Sequence, residues 1–131
     1  MLIDILKNHW LFKVLDNAQL EDISQKFLTR NYTQGQYVFH QSDAPEHLYV
    51  ILQGEISIET LSVDGKVIKI AQLDDADIFG ELALIDNGPR SAGALVKRPT
   101  TLALLTHAAF QTLIEENPQF CLLYTSPSPR D

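Results

Sequence analysis

Cysteine is nearly absent from this chain: Cys121 is the only one in 131 residues. A single thiol excludes an internal disulfide and a cysteine-rich metal site. It fits a reducing compartment, so a cytoplasmic location is expected. Basic residues are also scarce, with 10 Lys plus Arg against 17 Asp plus Glu and a net charge of −7. Phosphate backbones and anionic bilayers are held by clustered cations, so neither direct nucleic-acid contact nor membrane contact is expected of this segment. A small anionic ligand stays open, because one local Arg and a few backbone amides can outweigh a distant field that salt screens. Long apolar runs are missing too. The longest clean one, Leu48-Tyr49-Val50-Ile51-Leu52, has the length of a strand, far from the roughly 20 residues that cross a bilayer. Met1 to Trp10 carries Asp4, Lys7, Asn8 and His9 and reads as neither a signal nor a transit peptide. The four histidines, His9, His40, His47 and His107, lack metal-ligand spacing, so no metal and no cofactor are expected, and they read as surface or turn residues.

What is present is one domain's worth of chain, 45% hydrophobic. The first thirty residues carry Leu11, Leu15, Leu20, Ile23 and Phe27 near helical spacing. Asp16-Asn17 marks a break and cap, with a second helix over Ala18 to Leu28. From Thr29 the period changes. Asn31 to Gln36 reads as a strand end and turn, Tyr37 to Phe39 as a short strand, and Ser42-Asp43-Ala44-Pro45 as a turn. His47 to Gln53 is a strand closed by Gly54. Ile56 and Ile58 then alternate with polar residues, Asp64-Gly65 signals a hairpin, and Val67 to Leu73 alternates again. Phe79 to Ile85 interrupts the β pattern as one helical turn, followed by the Asp86-Asn87-Gly88-Pro89 loop. Strands over Ser91 to Lys97 and Thr100 to Leu105 meet at Arg98-Pro99. Thr106 caps a last helix, His107 to about Asn117, with the stripe Phe110, Leu113, Ile114. Short strands between turns indicate a barrel, sandwich or jelly roll. The prolines and serines of Tyr124 to Asp131 end all regular pattern, and this tail is expected to be disordered or a junction sequence.

The chemistry concentrates in Phe79 to Ala92, F-G-E-L-A-L-I-D-N-G-P-R-S-A. Gly80 lets backbone approach a ligand and opens a short helical turn whose first amides favour an anion. Glu81 in that turn can accept from hydroxyls. Arg90, after Pro89, suits bidentate contact with phosphate oxygens, and Ser91 adds a hydroxyl. One phosphate and one vicinal hydroxyl would satisfy Arg90 and Glu81 together, and a ribose carrying a cyclic phosphate presents both.

This run resembles the phosphate-binding cassette of cyclic nucleotide-binding domains. The G-x-x-V-F-x-x-x-D pattern at Gly35 to Asp43 and the L-Y-V-I-L-x-G run at Leu48 to Gly54 agree, and the resemblance spans about residues 8 to 120. It is nearest to the sensor domain of catabolite-activator (Crp/Fnr) type transcription regulators. It implies a mainly β fold with flanking helices: a double-stranded β-helix (jelly-roll) with N-terminal helices, a short cassette helix and a closing C-terminal helix. That domain would occupy residues 1–120, with a non-native or disordered tail at 121–131. It further implies that Glu81 binds the ribose 2′-hydroxyl, Arg90 the exocyclic oxygens and Ser91 the phosphate. The amides of Gly80, Glu81 and Ala92 would complete the cradle, with Leu82 beside them, and Ile58 and Ile70, inward on their strands, would offer apolar contact to the base. The ligand is expected to be cyclic AMP, with cyclic GMP as the alternative. Ser42 and Ala76 stand where the family usually has Gly, and Gly93 where it has a larger residue. In the family a lid and dimer helix follows, then a helix-turn-helix. Here the former would begin near Asn117 and is interrupted by the tail. DNA contact through a missing C-terminal domain, homodimerisation of the full-length protein and weakened ligand binding by this segment are therefore expected.

Rival readings stand beside this one. Glu81 and Arg90 could form a surface ion pair of little energetic value. The three departures fit a degenerate roll that serves as an interaction or regulatory platform without nucleotide. A cupin-type enzyme shares the barrel but needs a His-x-His cluster that is absent, so the chain is read as no enzyme. Tyr37, Phe39 and Tyr49 read as core rather than a stacking platform for nucleic acid, Asp74-Asp75-Ala76-Asp77 as a solvated turn rather than a calcium loop, and Cys121 as inert.

Overall fold

The computed structural model describes residues 2–9, 12–80 and 88–117. Two helices precede the sheet, α1 (Leu2–Asn8) and α2 (Asn17–Ser24). The expected break at Asp16 is a capping box: Asp16 Oδ1 accepts from the Gln19 amide at 2.8 Å, and Gln19 Oε1 accepts from the Asp16 amide at 3.0 Å. Helix α2 is shorter than its apolar spacing implies. It stops at Ser24, and Leu28 instead opens β1 (Leu28–Tyr32), opposite Leu104. Cross-strand pairing outweighs propensity there.

The remaining strands are β2 (Tyr37–Phe39), β3 (His47–Leu61), β4 (Val67–Asp74), β5 (Ile78–Phe79) and β6 (Gly93–Thr106). All pairings are antiparallel. The order is β1-β6-β3-β4, with β2 also on β6 and β5 on β3. This is the mainly β, jelly-roll fold with flanking helices that the sequence implied.

Two separations drawn from the sequence do not exist. His47 to Gln53 and the Ile56-Ile58 alternation are one 15-residue strand. Gly54 does not close it: at φ 139° it bends the strand through a series of register shifts. A Cβ on residue 54 would lie 2.1 Å from Thr100 Oγ1, so the crossing of β3 and β6 requires glycine. Likewise Arg98-Pro99 is not a junction, because β6 runs unbroken from Gly93. Pro99, which has no amide to donate, falls in the shifted register between Arg98 and Thr101.

The apolar run of β3 is continuous because both of its faces are covered. Leu48 and Val50 face outward and join Ala103 and Leu105 of β6 in a cluster with Leu6, Phe12, Leu15, Leu20 and Ile23. That cluster also takes Phe110 and Leu113 of α3 (His107–Glu116). Tyr49 and Ile51 face inward with Ile56, Ile58, Leu102 and Leu104 to fill the roll. Helix α3 starts as expected, with Thr106 Oγ1 accepting from the Ala109 amide at 3.1 Å. Asn117 at its end accepts from Gln19 Nε2 at 2.9 Å, which ties α3 to α2.

The hairpin at Asp64-Gly65 forms, with Gly65 at φ 85° and its amide on the Ser62 carbonyl. Strand β4 departs from expectation: Val67, Ile68 and Ile70 are all exposed. Phe79, expected to open a helical turn, is buried in β5 against Tyr49. The helical turn itself and the tail at 121–131 lie outside the described residues. Among the described residues no helix is long and apolar enough to cross a membrane.

Candidate functional site

Arg90 is placed by backbone before its side chain is considered. Its amide donates to the Asp43 carbonyl and its carbonyl accepts from the Ser42 amide, both at 2.8 Å. The turn that supplies these groups is itself braced, since Asp43 Oδ2 accepts from the His40 amide at 2.8 Å. Ser42 completes that turn at φ 77°, and Ala76 stands at φ 75°. These are the two positions where the sequence departs from an expected glycine. The left-handed backbone is kept although its usual residue is not, at a cost of about 1–2 kcal/mol each.

The Arg90 side chain turns into the molecule and is 2% exposed. Nη1 donates to the Gly80 carbonyl at 2.8 Å, and Nη2 donates to the His47 carbonyl in a short contact. The guanidinium carbon lies 4.2 Å from the centroid of Phe39 and 5.8 Å from that of Tyr49. Tyr49 stacks on Phe79 at 5.0 Å and 16°, and Phe39 leans on both at 5.7 and 6.0 Å. A cation removed from water is costly unless its donors and its face are occupied. Here two carbonyls accept from Nη1 and Nη2, and an aromatic floor covers the face. Arg90 itself is buried rather than on the surface, and Glu81, the other half of the ion-pair reading, lies outside the described residues.

Gly80 is required twice over. Its φ is 86°, and a Cβ there would lie 2.8 Å from Arg90 Nη1 and 3.3 Å from Tyr49 Cδ2. Burial pushes the Tyr49 hydroxyl up to about 12, against an opposing pull from Arg90. Burial also lowers His47, helped by Arg30 and Arg90 and opposed by Glu46.

The structure thus brings Gly80 and Arg90 together, with Ala92 buried in the inner cluster and Ser91 exposed beside them. Glu81 and Leu82 lie outside the described residues. Ile58 is inward, at 8% exposure, but Ile70 is 58% exposed. The expectation that Ile70 faces inward is corrected by the β3–β4 register: Ile58 pairs with Ala71 and Glu59 with Lys69, which leaves Ile70 in a bulge. A bulge resets the alternation of faces, and Ala71 and Leu73 pack on the inner cluster instead. Gly93 is buried opposite Glu59, and a Cβ there meets only ordinary contacts at 3.5 Å, so the small residue is not a backbone need.

The aromatic expectations divide. Phe39 and Tyr49 are core, while Tyr37 is 41% exposed and stacks on His40 at 4.6 Å. That Phe39 and Tyr49 also form the floor of Arg90 was not read from the sequence. The only available signal was the apolar Phe39 on a three-residue strand, which says "core" and nothing more. The acidic run is the solvated turn expected, and it is braced. Asp75 Oδ1 accepts from the Gly54 amide at 2.8 Å and lies 3.9 Å from Arg98 Nη2, while the Ala76 amide donates to Ile51. His9 is half-buried at the bend after α1, and that burial lowers it to about 4. Among the described residues no cluster of His, Cys, Asp and Glu could hold a metal.

Residues 29–117 match the family described as the cyclic nucleotide-binding domain. The chain belongs to that family. The domain is 30% identical over 113 residues to the cyclic AMP receptor protein of Thermus thermophilus, covering 86% of this chain and 52% of that protein. It superposes with TM-score 0.79 on the N-terminal domain of a transcriptional regulator from Streptomyces coelicolor, at 28% identity over 92% of this chain and 84% of that one. The regulatory domain of Toxoplasma gondii PKA, solved with cAMP, gives TM-score 0.83 at 27% identity, over 88% of this chain and 44% of that one. These relatives are receptors and regulators, in keeping with a domain that is not an enzyme. This chain spans about half the length of the Thermus relative.

Proposed function

We propose that this domain senses a cyclic nucleotide, cyclic AMP before cyclic GMP, and passes its binding to an attached output domain. The observation that carries the reading is the buried guanidinium of Arg90, held under the Gly80 carbonyl at 2.8 Å. A cation drawn out of water and set beside the glycine that opens the cassette is poised for a phosphate. The ligand's exocyclic oxygens would take Arg90 donors now given to carbonyls, and charge-assisted bonds to phosphate are about twice as strong as neutral ones. Glu81 would hold the 2′-hydroxyl, Ser91 and the amides of Gly80, Glu81 and Ala92 the phosphate, with Leu82 beside them, and Ile58 the base. Ile70 would reach the base only from the exposed side of its bulge.

Release of the His47 and Gly80 carbonyls would loosen β3 from the cassette, and that difference between the two states is what a ligand can bias. In the full-length protein the output fits DNA binding by a further domain of a cytoplasmic, homodimeric transcription regulator. The Streptomyces relative is a transcriptional regulator in name, and the Thermus relative a cyclic AMP receptor protein. Titration of an Arg90→Leu variant with cyclic AMP tests the reading: affinity should fall about 10- to 100-fold, and an unchanged affinity would overturn it.

One observation favours a second reading, a roll with no nucleotide ligand. Arg90 already has carbonyl acceptors for both Nη1 and Nη2, so it can serve as an internal pin. The same titration separates the two, since a pin predicts no binding by the parent protein.

A further inference from the structure

We propose that Phe39 is a positioning residue for the ligand's phosphate, acting through Arg90; the inference rests on the cyclic-nucleotide reading and adds a residue to it. An arginine side chain has many rotamers to lose, so a guanidinium must be fixed in plane and in place before it can select one phosphate geometry. Three contacts do this before a ligand takes the Nη donors, and the aromatic one outlasts that exchange. The carbonyls of Gly80 and His47 fix the two Nη atoms. The Phe39 ring, with its centroid 4.2 Å from Cζ, fixes the third direction.

Phe39 is itself held on more than one side. It pairs with Ala94 across β2 and β6, and its ring leans on the stacked Tyr49–Phe79 pair. Its backbone lies next to the His40–Asp43 turn whose Ser42 and Asp43 bond the Arg90 main chain. One short segment, residues 39 to 43, therefore grips Arg90 by both backbone and side chain. The negative face of an aromatic ring attracts a cation, and does so more strongly away from water. A leucine at 39 would fill much of the space and lack that face.

A phosphate held by a fixed guanidinium is read asymmetrically, because the two exocyclic oxygens of a cyclic phosphate are not equivalent. The test uses the two phosphorothioate diastereomers of cyclic AMP, each with sulfur in place of one exocyclic oxygen. Affinity for cyclic AMP and for each diastereomer is measured on the full chain for the parent, for Phe39→Leu and for a protein carrying trifluorinated phenylalanine at 39. The fluorinated ring keeps the shape of the core while withdrawing charge from its face, so it reports on Arg90 even where the leucine variant does not fold.

The expected result is about a tenfold loss of cyclic AMP affinity for the fluorinated protein, with the preference between diastereomers reduced. A purely structural role for Phe39 would leave that preference unchanged. Unchanged affinity and unchanged preference in the fluorinated protein would overturn the positioning role and leave the cyclic-nucleotide reading standing. A parent protein that binds none of the three ligands would remove that reading, and the positioning role with it.

Discussion

Gly80 and Arg90 occupy each other's space: the arginine Nη1 donates to the Gly80 carbonyl at 2.8 Å, and a Cβ on residue 80 would stand 2.8 Å from that same nitrogen. The backbone that accepts the guanidinium is bare on the side from which it comes. With φ at 86°, residue 80 also sits where side chains are strained.

Gly80→Ala is therefore expected to act on the site more than on the fold. Strain should cost about 1–2 kcal/mol of stability, visible as a lower urea midpoint. Cyclic AMP affinity should fall more than that loss implies, because Arg90 is displaced. Calorimetric titration of the folded variant checks this. An affinity equal to the parent's would mean that the guanidinium has another resting place.

Ala76→Gly should stabilise the protein. At φ 75° alanine stores left-handed strain, and relief of about 1–2 kcal/mol exceeds the roughly 0.4–1 kcal/mol of added unfolded-chain entropy. The urea midpoint should rise, and Ser42→Gly should do the same at φ 77°. A fall in either variant would show that the side chain contributes more than its backbone costs.

His9 should make the domain acid-sensitive. Burial lowers its pKa from 6.5 to about 4 in the folded state, so between these values the unfolded chain binds more protons than the native one. Stability then rises with pH across that window, and is lost as pH falls from about 6.5 towards 4. Urea midpoints measured from pH 4 to 7 should show this slope, and His9→Gln should flatten it. A slope unchanged by the substitution would assign the effect to carboxylates.

Much of the fold was legible because its signals are local. The Asp16 and Thr106 caps, the Asp64-Gly65 hairpin and the strand over Leu48 to Leu52 each follow from a few adjacent residues. What escaped depends on pairing between distant segments. The bend at Gly54 answers to Thr100, the continuity of β6 past Pro99 answers to β3, and the exposure of Ile70 comes from a one-residue shift against Ile58 and Glu59. No spacing within β4 announces that shift. The site divides in the same way. Gly80 and Arg90 were readable as a motif, because a phosphate site needs those residue types close in sequence. Phe39 and the His47 carbonyl were not, because they reach Arg90 from β2 and β3.

Burial of Phe110 gives a check on the outer cluster. It is fully buried between α3 and the β3–β6 face, and Phe110→Ala should cost about 3–5 kcal/mol. Circular dichroism with urea denaturation measures it. A loss below about 1 kcal/mol would mean that α3 is held by its Thr106 cap and the Asn117–Gln19 bond rather than by packing.

The most direct measurement is a calorimetric titration of the parent protein with cyclic AMP, using 5′-AMP as the control. The two share base and ribose and differ in the phosphate that Arg90 is proposed to hold. Saturable binding of cyclic AMP, clearly tighter than that of 5′-AMP, is the expected result. No binding, or equal binding of both, would contradict a cyclic-phosphate site and leave Arg90 as an internal pin of the roll.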